Sequence, residues 1–280
     1  MSAPLYLAVL GKPAFHSLSP AMHNAVMRKL GIKGVYLSFE VDNFEKAVIG
    51  AKELGFKGLN VTLPYKENAY RIADEMSEDV KNVKAANTIH FEENKIKAFN
   101  TDIYGFSKAV ERSGFSLQGS SIAVIGAGGV SRAIVYSALR SKAKEITIFN
   151  RTYEKAEKIK EEMSIFSNQT EIRTETLEKI NFEDFDIIVN ATNIGWKGEN
   201  LFEIIGIYPK PIKKKKKILF FDTVYVTTKF LSISKELGYN VQDGRWMLVL
   251  QGAMSFKIWT SIYPDERVMF QALTRCMKKF

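Results

Sequence analysis

Cysteine and histidine are scarce in this chain of 280 residues, and long apolar runs are absent from it. There is one cysteine, Cys276, and there are three histidines. A single cysteine forms no internal disulfide and the histidines show no metal-ligand spacing, so the sequence disfavours a disulfide scaffold and a zinc enzyme. No run is both apolar and long enough to cross a bilayer, and no basic leader precedes an apolar core. We expect a cytoplasmic protein that binds neither a metal nor a membrane.

Negative charge is also in the minority, because 40 Lys and Arg stand against 31 Asp and Glu, which gives a net charge of +9. Such a balance is found in nucleic-acid-binding proteins. Five of the nine charges, however, lie in one proline-flanked run, Lys213–Lys217, which predicts a solvated loop, and the rest of the chain carries only about +4. We therefore expect no nucleic-acid partner, and note that small anionic ligands also favour a basic protein.

Short apolar runs alternate with helical patterns along the chain, which predicts an α/β fold with a largely parallel sheet. The expected strands are LYLAVLG, GVYLSFEV and GLNVTLP in the first half, and 120–126, 145–150, 186–192 and 218–222 in the second. The first expected helix starts at Pro20, with Ser19 as its cap. Further helices are expected over 44–54, 66–76, 128–140 and 152–163, the last of them capped by Thr152, and apolar helices are expected at the C-terminal end. Small polar residues at 116–121 separate the two arrays.

The glycine-rich turn GAGGVSRA, residues 126–133, follows a predicted strand and opens a predicted helix. Such a turn lets a pyrophosphate approach the backbone at a helix N-terminus, where free N–H groups and the helix dipole favour anions. Ser131 replaces the third glycine of the dinucleotide-binding pattern, and a turn of this kind also arises from packing alone. Together with the strand–helix–strand context it predicts a nucleotide site.

The end of the next strand indicates which dinucleotide is bound. An acidic residue there would bind the ribose of NAD, but the chain has Asn150, Arg151 and Thr152, with Lys155 one turn later. Arg151 offers a planar fork to a 2′-phosphate and Lys155 adds a positive charge, which predicts NADP. The same residues also fit a purely structural interpretation, in which Thr152 caps the helix and the basic side chains are exposed to solvent.

Four polar clusters lie on the apolar background of the first half: HSLSP (16–20), NVTLPYK (60–66), AANT (85–88) and NTD (100–102). Each falls near a strand end, the edge where parallel α/β sheets collect ligands. Ser17, Ser19, Thr62 and Asn87 can all donate and accept hydrogen bonds, which suits a polyhydroxylated substrate. Taken singly, Ser19 equally fits a helix cap and Asn87 a turn.

Lys66 and Asp102 are the candidate reactive pair. A lysine is not expected in the first turn of a helix for stability, because the helix dipole disfavours a cation there. Paired with a carboxylate, it can deliver or remove a hydroxyl proton while a hydride moves. Asp102 also fits the N-cap of a helix over 103–112, and the spacing alone does not bring the two together.

With these clusters in this order, the sequence resembles the shikimate dehydrogenase family over nearly its whole length, from about Gly11 to Trp259. The motifs that carry the resemblance are HSLSPAMHN, NVTLPYK, Asn87-Thr88, NTDIYG, GAGGVSRA, NRT, NATNIG, DTVY and MLVLQGAMSFKIW. The resemblance implies reversible NADPH-dependent reduction of 3-dehydroshikimate to shikimate, a step of chorismate and aromatic amino acid biosynthesis. It also implies two α/β domains: an open substrate domain with a mixed sheet (1–101 plus 245–280) and a Rossmann-like NADP domain (102–244).

The resemblance also implies roles for individual residues. Lys66 would be the proton donor and acceptor, with Asp102 beside it. The substrate's hydroxyls and carboxylate would be held by Ser17, Ser19, Thr62, Asn87, Asp102 and Gln251, and by Tyr225 from the other domain. The cofactor would be held by Gly126, Ala127, Gly128, Gly129, Val130, Asn150, Arg151, Thr152, Lys155, Thr192, Asn193, Thr223 and Gly244.

Several residues depart from the family pattern, and they bear mainly on cofactor geometry. These are Lys84, Asn193, Trp196, Arg245 and Trp246, together with a shortened stretch after Tyr225.

Three alternatives stay open. A quinate or dual quinate/shikimate dehydrogenase shares most motifs, although Ser19 stands where a threonine is more typical of quinate users. A basic nucleic-acid-binding protein on an inactive dehydrogenase-like fold would explain the lysine run. A weak paralogue that binds NADP for regulation is the third, against which Lys66 and Asp102 argue. The expected assembly is a monomer or a homodimer.

Overall fold

The computed structural model describes residues 3–212 and 217–278, so most of the predicted lysine loop, Lys213–Lys216, lies outside the described residues. The chain divides into two compact units. Unit 1 is formed by Met1–Gly105 and Val249–Phe280, and unit 2 by Phe106–Leu248. The domain boundaries predicted from the sequence, after residues 101 and 244, stand four residues before each of these divisions.

Strands and helices alternate as the sequence pattern predicts. The strands are β1 (Leu5–Gly11), β2 (Gly34–Glu40), β3 (Gly58–Val61), β4 (Glu75–Met76), β5 (Thr88–Glu92), β6 (Lys95–Phe99), β7 (Ser121–Ile125), β8 (Glu145–Phe149), β9 (Glu171–Glu175), β10 (Ile187–Asn190), β11 (Leu219–Asp222) and β12 (Asn240–Gln242). The helices are α1 (Ser19–Lys29), α2 (Phe44–Glu53), α3 (Lys66–Ile72), α4 (Glu78–Val83), α5 (Asp102–Arg112), α6 (Gly129–Arg140), α7 (Tyr153–Ser164), α8 (Leu201–Ile205), α9 (Lys229–Glu236), α10 (Arg245–Thr260) and α11 (Glu266–Met277).

Unit 1 contains a mixed six-stranded sheet in the order β2-β1-β3-β5-β6-β4. β1 pairs parallel with β2 and β3, whereas β5 runs antiparallel to both β3 and β6. The alternation of strands and helices by itself predicted a largely parallel sheet, which is wrong for this unit because a short β5–β6 hairpin replaces a helical crossover. The mixed sheet that the family resemblance implied is confirmed. Its core packs residues such as Phe44, Leu59 and Ile89 against the sheet.

Two local predictions in unit 1 are also wrong. α3 ends at Ile72 rather than at residue 76, because Asp74 pairs with the backbone of Ile96 and turns the chain into β4. Ser19 is the first residue of α1 and makes no side-chain cap; the Ser17 hydroxyl accepts its backbone N–H at 3.3 Å instead. Pro20 does lie in the first turn, where a missing N–H costs nothing.

Unit 2 contains an all-parallel six-stranded sheet in the order β12-β11-β10-β7-β8-β9. β7 is flanked by β10 on one side and by β8 on the other, so the strand order reverses beside it. Ligands of such sheets bind outside the carboxyl ends of the strands at this switch point. Aromatic residues fill one face of the core, with Phe202 and Phe220 each 5.3 Å from the Phe230 ring.

Within the described residues, no helix has both the length and the apolar character needed to cross a membrane. Residues 3–212 and 217–278 also contain no group of three or more His, Cys, Asp or Glu placed to hold a metal ion.

Candidate active site

The polar clusters of unit 1 gather at one edge of its sheet. NVTLPYK continues from the carboxyl end of β3, and NTD follows the carboxyl end of β6. AANT instead precedes β5, and it reaches the same edge because β5 runs antiparallel to its two neighbours. The mixed sheet thus places strand starts and strand ends together, which the sequence did not predict.

Lys66 and Asp102 meet in unit 1. The Lys66 Nζ donates to Asp102 Oδ2 at 2.6 Å, and only 14% and 9% of the two side chains are exposed. A charge-assisted bond of this length in partly buried surroundings is a strong one. α3 begins at Lys66 and α5 begins at Asp102, so each partner is fixed by a helix start.

Asn87 holds the other side of this carboxylate. Its Oδ1 accepts the backbone N–H of Thr101 at 2.8 Å, and this donor-only partner fixes which end of the amide is oxygen. The Nδ2 therefore faces the acceptors, donating to Asp102 Oδ1 at 2.9 Å and to Gln251 Oε1 at 3.2 Å. Both carboxylate oxygens of Asp102 are thus hydrogen-bonded, and Asn87 is a linking residue rather than a turn former.

Behind this group lies a buried polar network that sequence reasoning missed. Asn60 Nδ2 donates to the Asn87 carbonyl at 3.0 Å and to Ser255 Oγ at 3.0 Å. Ser255 lies one helical turn after Gln251 on α10 and bonds the Thr88 and Thr101 hydroxyls at 2.8 and 3.1 Å. α10 is fixed on the sheet of unit 1 by the Trp259 Nε1, which donates to the Ile89 carbonyl. Buried networks of this kind rigidify a site when every member is satisfied.

The network extends to Ser19. Tyr36 OH donates to Asn60 Oδ1 at 2.7 Å, and Ser19 is hydrogen-bonded to the same tyrosine. Ser19 is 5% exposed, whereas Ser17 and Thr62 are half-buried near the same edge. Burial raises the pKa of Tyr36 far above its ordinary value. A weak signal was available for Asn60, Thr88 and Thr101, since all three lie inside the polar motifs already singled out.

Unit 2 carries the glycine-rich turn at the switch point. Gly126 ends β7 with a φ of +111°, and a Cβ there would lie 2.8 Å from Thr192 Cγ2, so only glycine fits. Gly128 caps α6, and its N–H donates to Ser131 Oγ at 3.2 Å. A Cβ on Gly128 would meet no atom within 4 Å, so the start of α6 has open space beside it. These residues fit a pyrophosphate group.

The turn after β8 carries the predicted phosphate-binding residues. Asn150 Nδ2 donates to the Thr152 carbonyl at 2.7 Å and shapes the turn. Arg151 and Lys155 are exposed, one before and one inside α7. Thr152 occupies the N-cap position but makes no side-chain cap bond, so the capping prediction is wrong in that respect. An exposed guanidinium and ammonium fit a 2′-phosphate.

The remaining residues predicted for the cofactor, together with Tyr225, lie in the segments that follow β10, β11 and β12. Thr192 and Thr223 are half-buried, Asn193 is exposed, and Gly244 is buried with its Cβ position 2.2 Å from the Thr223 carbonyl oxygen. Tyr225 packs edge-on against Trp196, with ring centroids 4.8 Å apart. Burial raises the pKa of Tyr225 to about 12.

Two of the residues that depart from the family pattern, Trp246 and Arg245, contact other side chains of unit 2. The Arg112 guanidinium lies 3.5 Å from the centroid of the Trp246 ring. Arg245 pairs with Asp243 at 2.6 Å. Trp246 is only half-buried, whereas Phe256 and Trp259 on the same helix are buried.

A parallel sheet with a glycine-rich turn at its switch point, in one chain with a hydrogen-bonded lysine–carboxylate pair, is the arrangement of a dinucleotide-dependent oxidoreductase. Family models match three consecutive segments: "Shikimate dehydrogenase substrate binding domain" over residues 9–89, "Shikimate / quinate 5-dehydrogenase" over 108–222, and "Shikimate 5'-dehydrogenase C-terminal domain" over 244–274. The chain belongs to the shikimate dehydrogenase family.

Full-length relatives agree with the family models. A shikimate dehydrogenase (NADP(+)) of Pyrococcus abyssi is 39% identical over 265 residues, which cover 93% of this chain and 94% of that protein. The enzyme of the same description from Archaeoglobus fulgidus is 39% identical over 98% of this chain and 99% of its own. A crystal structure of shikimate 5-dehydrogenase from Thermus thermophilus in complex with NADP(H) and shikimate superposes with a TM-score of 0.84 at 32% identity, covering 97% of this chain and 99% of that one.

Proposed function

We propose that this protein catalyses the reversible NADPH-dependent reduction of 3-dehydroshikimate to shikimate. The observation that carries the proposal is the 2.6 Å bond from Lys66 Nζ to Asp102 Oδ2 within the buried network of unit 1. Relatives described as shikimate dehydrogenase (NADP(+)) over almost the whole chain support the substrate and the cofactor.

The bound nicotinamide supplies the hydride, and the residues of the chain manage the proton. Lys66 donates a proton to the ketone oxygen as it becomes an alcohol, and in the reverse direction it takes that proton back. Asp102 holds the Lys66 ammonium in place, and Asn87 fixes the carboxylate from its other side. The same residues serve both directions, with Lys66 protonated before the reduction and deprotonated before the oxidation.

The remaining site residues are proposed in groups. Substrate hydroxyls and carboxylate are bound by Ser17, Ser19, Thr62, Asn87, Asp102, Tyr225 and Gln251. The pyrophosphate of NADP is bound by Gly126, Ala127, Gly128, Gly129 and Val130, and its adenosine phosphate by Asn150, Arg151, Thr152 and Lys155. Thr192, Asn193, Thr223 and Gly244 line the rest of the cofactor groove. The open space beside Gly128 and the exposed basic side chains after β8 support these assignments.

The first experiment is an assay of the purified protein with shikimate and quinate separately, each with NADP and with NAD, followed by the absorbance of the reduced cofactor. We expect turnover with shikimate and NADP, and much less with the other three combinations. Quinate turnover at a similar rate would support the dual-specificity alternative instead. No turnover with any pair would contradict the proposed function.

We further propose that the enzyme works in the cytoplasm as a monomer or a homodimer. Its single cysteine, Cys276, suits a reducing compartment. Sedimentation of the purified chain would decide between the two assemblies.

A further inference from the structure

A buried carboxylate in unit 2 has no role in the chemistry proposed above. Asp222 is the last residue of β11, is 0% exposed, and lies opposite Asn190, the last residue of β10. Burying a carboxylate is costly unless hydrogen bonds satisfy it. The hydrogen-bond partners of this carboxylate, at the carboxyl end of the parallel strands, therefore indicate its role.

The two oxygens of Asp222 bind groups from three different segments. Oδ1 accepts from Asn190 Nδ2 at 3.1 Å and from the backbone N–H of Val224 at 3.0 Å. Oδ2 accepts from the hydroxyl of Thr228, the N-cap of α9, at 2.7 Å. The carboxylate thus closes the loop 223–228 upon itself and ties it to the neighbouring strand.

Asn190 is in turn hydrogen-bonded to the loop after β10. Its Oδ1 accepts from the Thr192 hydroxyl at 2.7 Å, and its Nδ2 also donates to the Ile194 carbonyl at 3.1 Å. Its own carbonyl accepts from the backbone N–H of Thr223 at 3.0 Å. Thr192 and Thr223, both proposed to line the cofactor groove, are therefore held by the Asn190–Asp222 pair.

In this arrangement the partners of Asp222 act as donors, which suits an ionised carboxylate. Burial raises the pKa of Asp222 to about 6, and the nearby charge of Asp243 acts in the same direction. The group is still mainly ionised at neutral pH, where it accepts from all of its partners.

We propose that Asp222 is a positioning residue for NADP binding, which acts by fastening the loops after β10 and β11 to each other. The inference rests on the proposed function, since it assumes that these loops meet the cofactor. Asp222 itself is 0% exposed, so it would act through Asn190, Val224 and Thr228.

The test is calorimetric titration of NADP into the full chain near neutral pH. We expect Asp222→Ala to raise the Kd for NADP at least about tenfold, equivalent to about 1.4 kcal/mol. Asp222→Asn should stay within about threefold of the unmodified protein, because the amide oxygen still accepts from Asn190 and Val224 and the amide N–H can donate to Thr228. Shikimate binding, measured without cofactor, should change less than NADP binding in Asp222→Ala, because Tyr225 is the one proposed substrate residue in the loop 223–228 and the others lie on unit 1.

The matched control is Asp186→Ala. Asp186 precedes β10 and accepts the Ser121 N–H at the opposite end of the same strands, so NADP affinity should not change. Equal NADP affinity of Asp222→Ala and the unmodified protein would overturn the inference, as would failure of Asp222→Asn to recover affinity. If Asp222→Ala does not fold, Thr228→Val decides: a rise of about threefold supports the inference and no change overturns it. Absence of NADP binding by the unmodified protein would instead contradict the proposed function.

Discussion

At the residue scale, the proposed chemistry depends on one lysine. Lys66→Ala removes the proposed proton donor, and we expect kcat to fall about 10²- to 10⁴-fold while the Kd for shikimate changes little. The matched control is Lys12→Ala, which removes a surface lysine paired with Asp42 in the same unit. Single-turnover kinetics and shikimate titration measure the two quantities. Near-normal kcat in Lys66→Ala would remove Lys66 from the mechanism.

Asp222 also affects how stability depends on pH. Its pKa in the folded protein, about 6, is above the ordinary 3.8, so the folded state takes up a proton before the unfolded state does. The associated stability is fully present below the ordinary pKa and is lost as pH rises through the folded pKa, a difference on the order of 3 kcal/mol. We expect Asp222→Asn to gain stability relative to the unmodified protein between about pH 4 and pH 7. Urea unfolding across this range measures the gain, and parallel pH curves for the two proteins would contradict the expectation.

Single side chains were predictable from sequence where a motif surrounds them, and hard to predict where a contact is long-range. Lys66 could be chosen because a lysine is unusual at a helix start, and Asp102 because it lies in the polar NTD cluster. Ser255 could not, because a serine on an apolar helix gives no indication of partners more than 150 positions away. The orientation of Asn87 likewise depends on one backbone N–H that only the folded chain supplies.

At the scale of elements, we propose that the turn after β8 determines which dinucleotide is bound. Arg151→Ala removes the guanidinium proposed to bind the 2′-phosphate, so we expect the KM for NADP to rise about tenfold while the KM for NAD stays the same. Arg173→Ala, which removes an exposed arginine from the neighbouring β9, is the control. Steady-state kinetics with both cofactors give the ratio. An equal rise for NADP and NAD would show that Arg151 does not recognise the phosphate.

The periodicity of apolar residues predicted which segments are strands and which are helices, but it did not predict whether neighbouring strands run parallel or antiparallel. The alternation of apolar and polar residues predicted the parallel sheet of unit 2, because long connections, most of which contain a helix, join its strands. In unit 1, the turn between β5 and β6 is too short for a crossover and makes the sheet mixed. The end of α3 at Ile72 was missed because its cause is the pairing of Asp74 with Ile96, a tertiary contact.

At the scale of the whole molecule, the nucleic-acid-binding alternative rests on the net charge of +9, so the distribution of that charge decides between it and the enzyme. Electrostatic binding to DNA requires a cluster of unpaired basic side chains, and its strength falls steeply with salt. In the described residues, several surface lysines are paired with acids, among them Lys29 with Asp265, Lys95 with Glu75 and Lys179 with Glu175. In the sequence, five of the nine excess positive charges stand in the run at 213–217.

We therefore expect no retention of DNA or RNA in a gel shift at physiological salt. At low salt, any weak retention should vanish when Lys213–Lys217 are replaced by glutamine, because the remaining chain carries only about +4. The same variant should keep shikimate turnover, since the run contains none of the proposed site residues. Retention that survives physiological salt and disappears in the glutamine variant would show that this segment binds nucleic acid in addition to any catalysis.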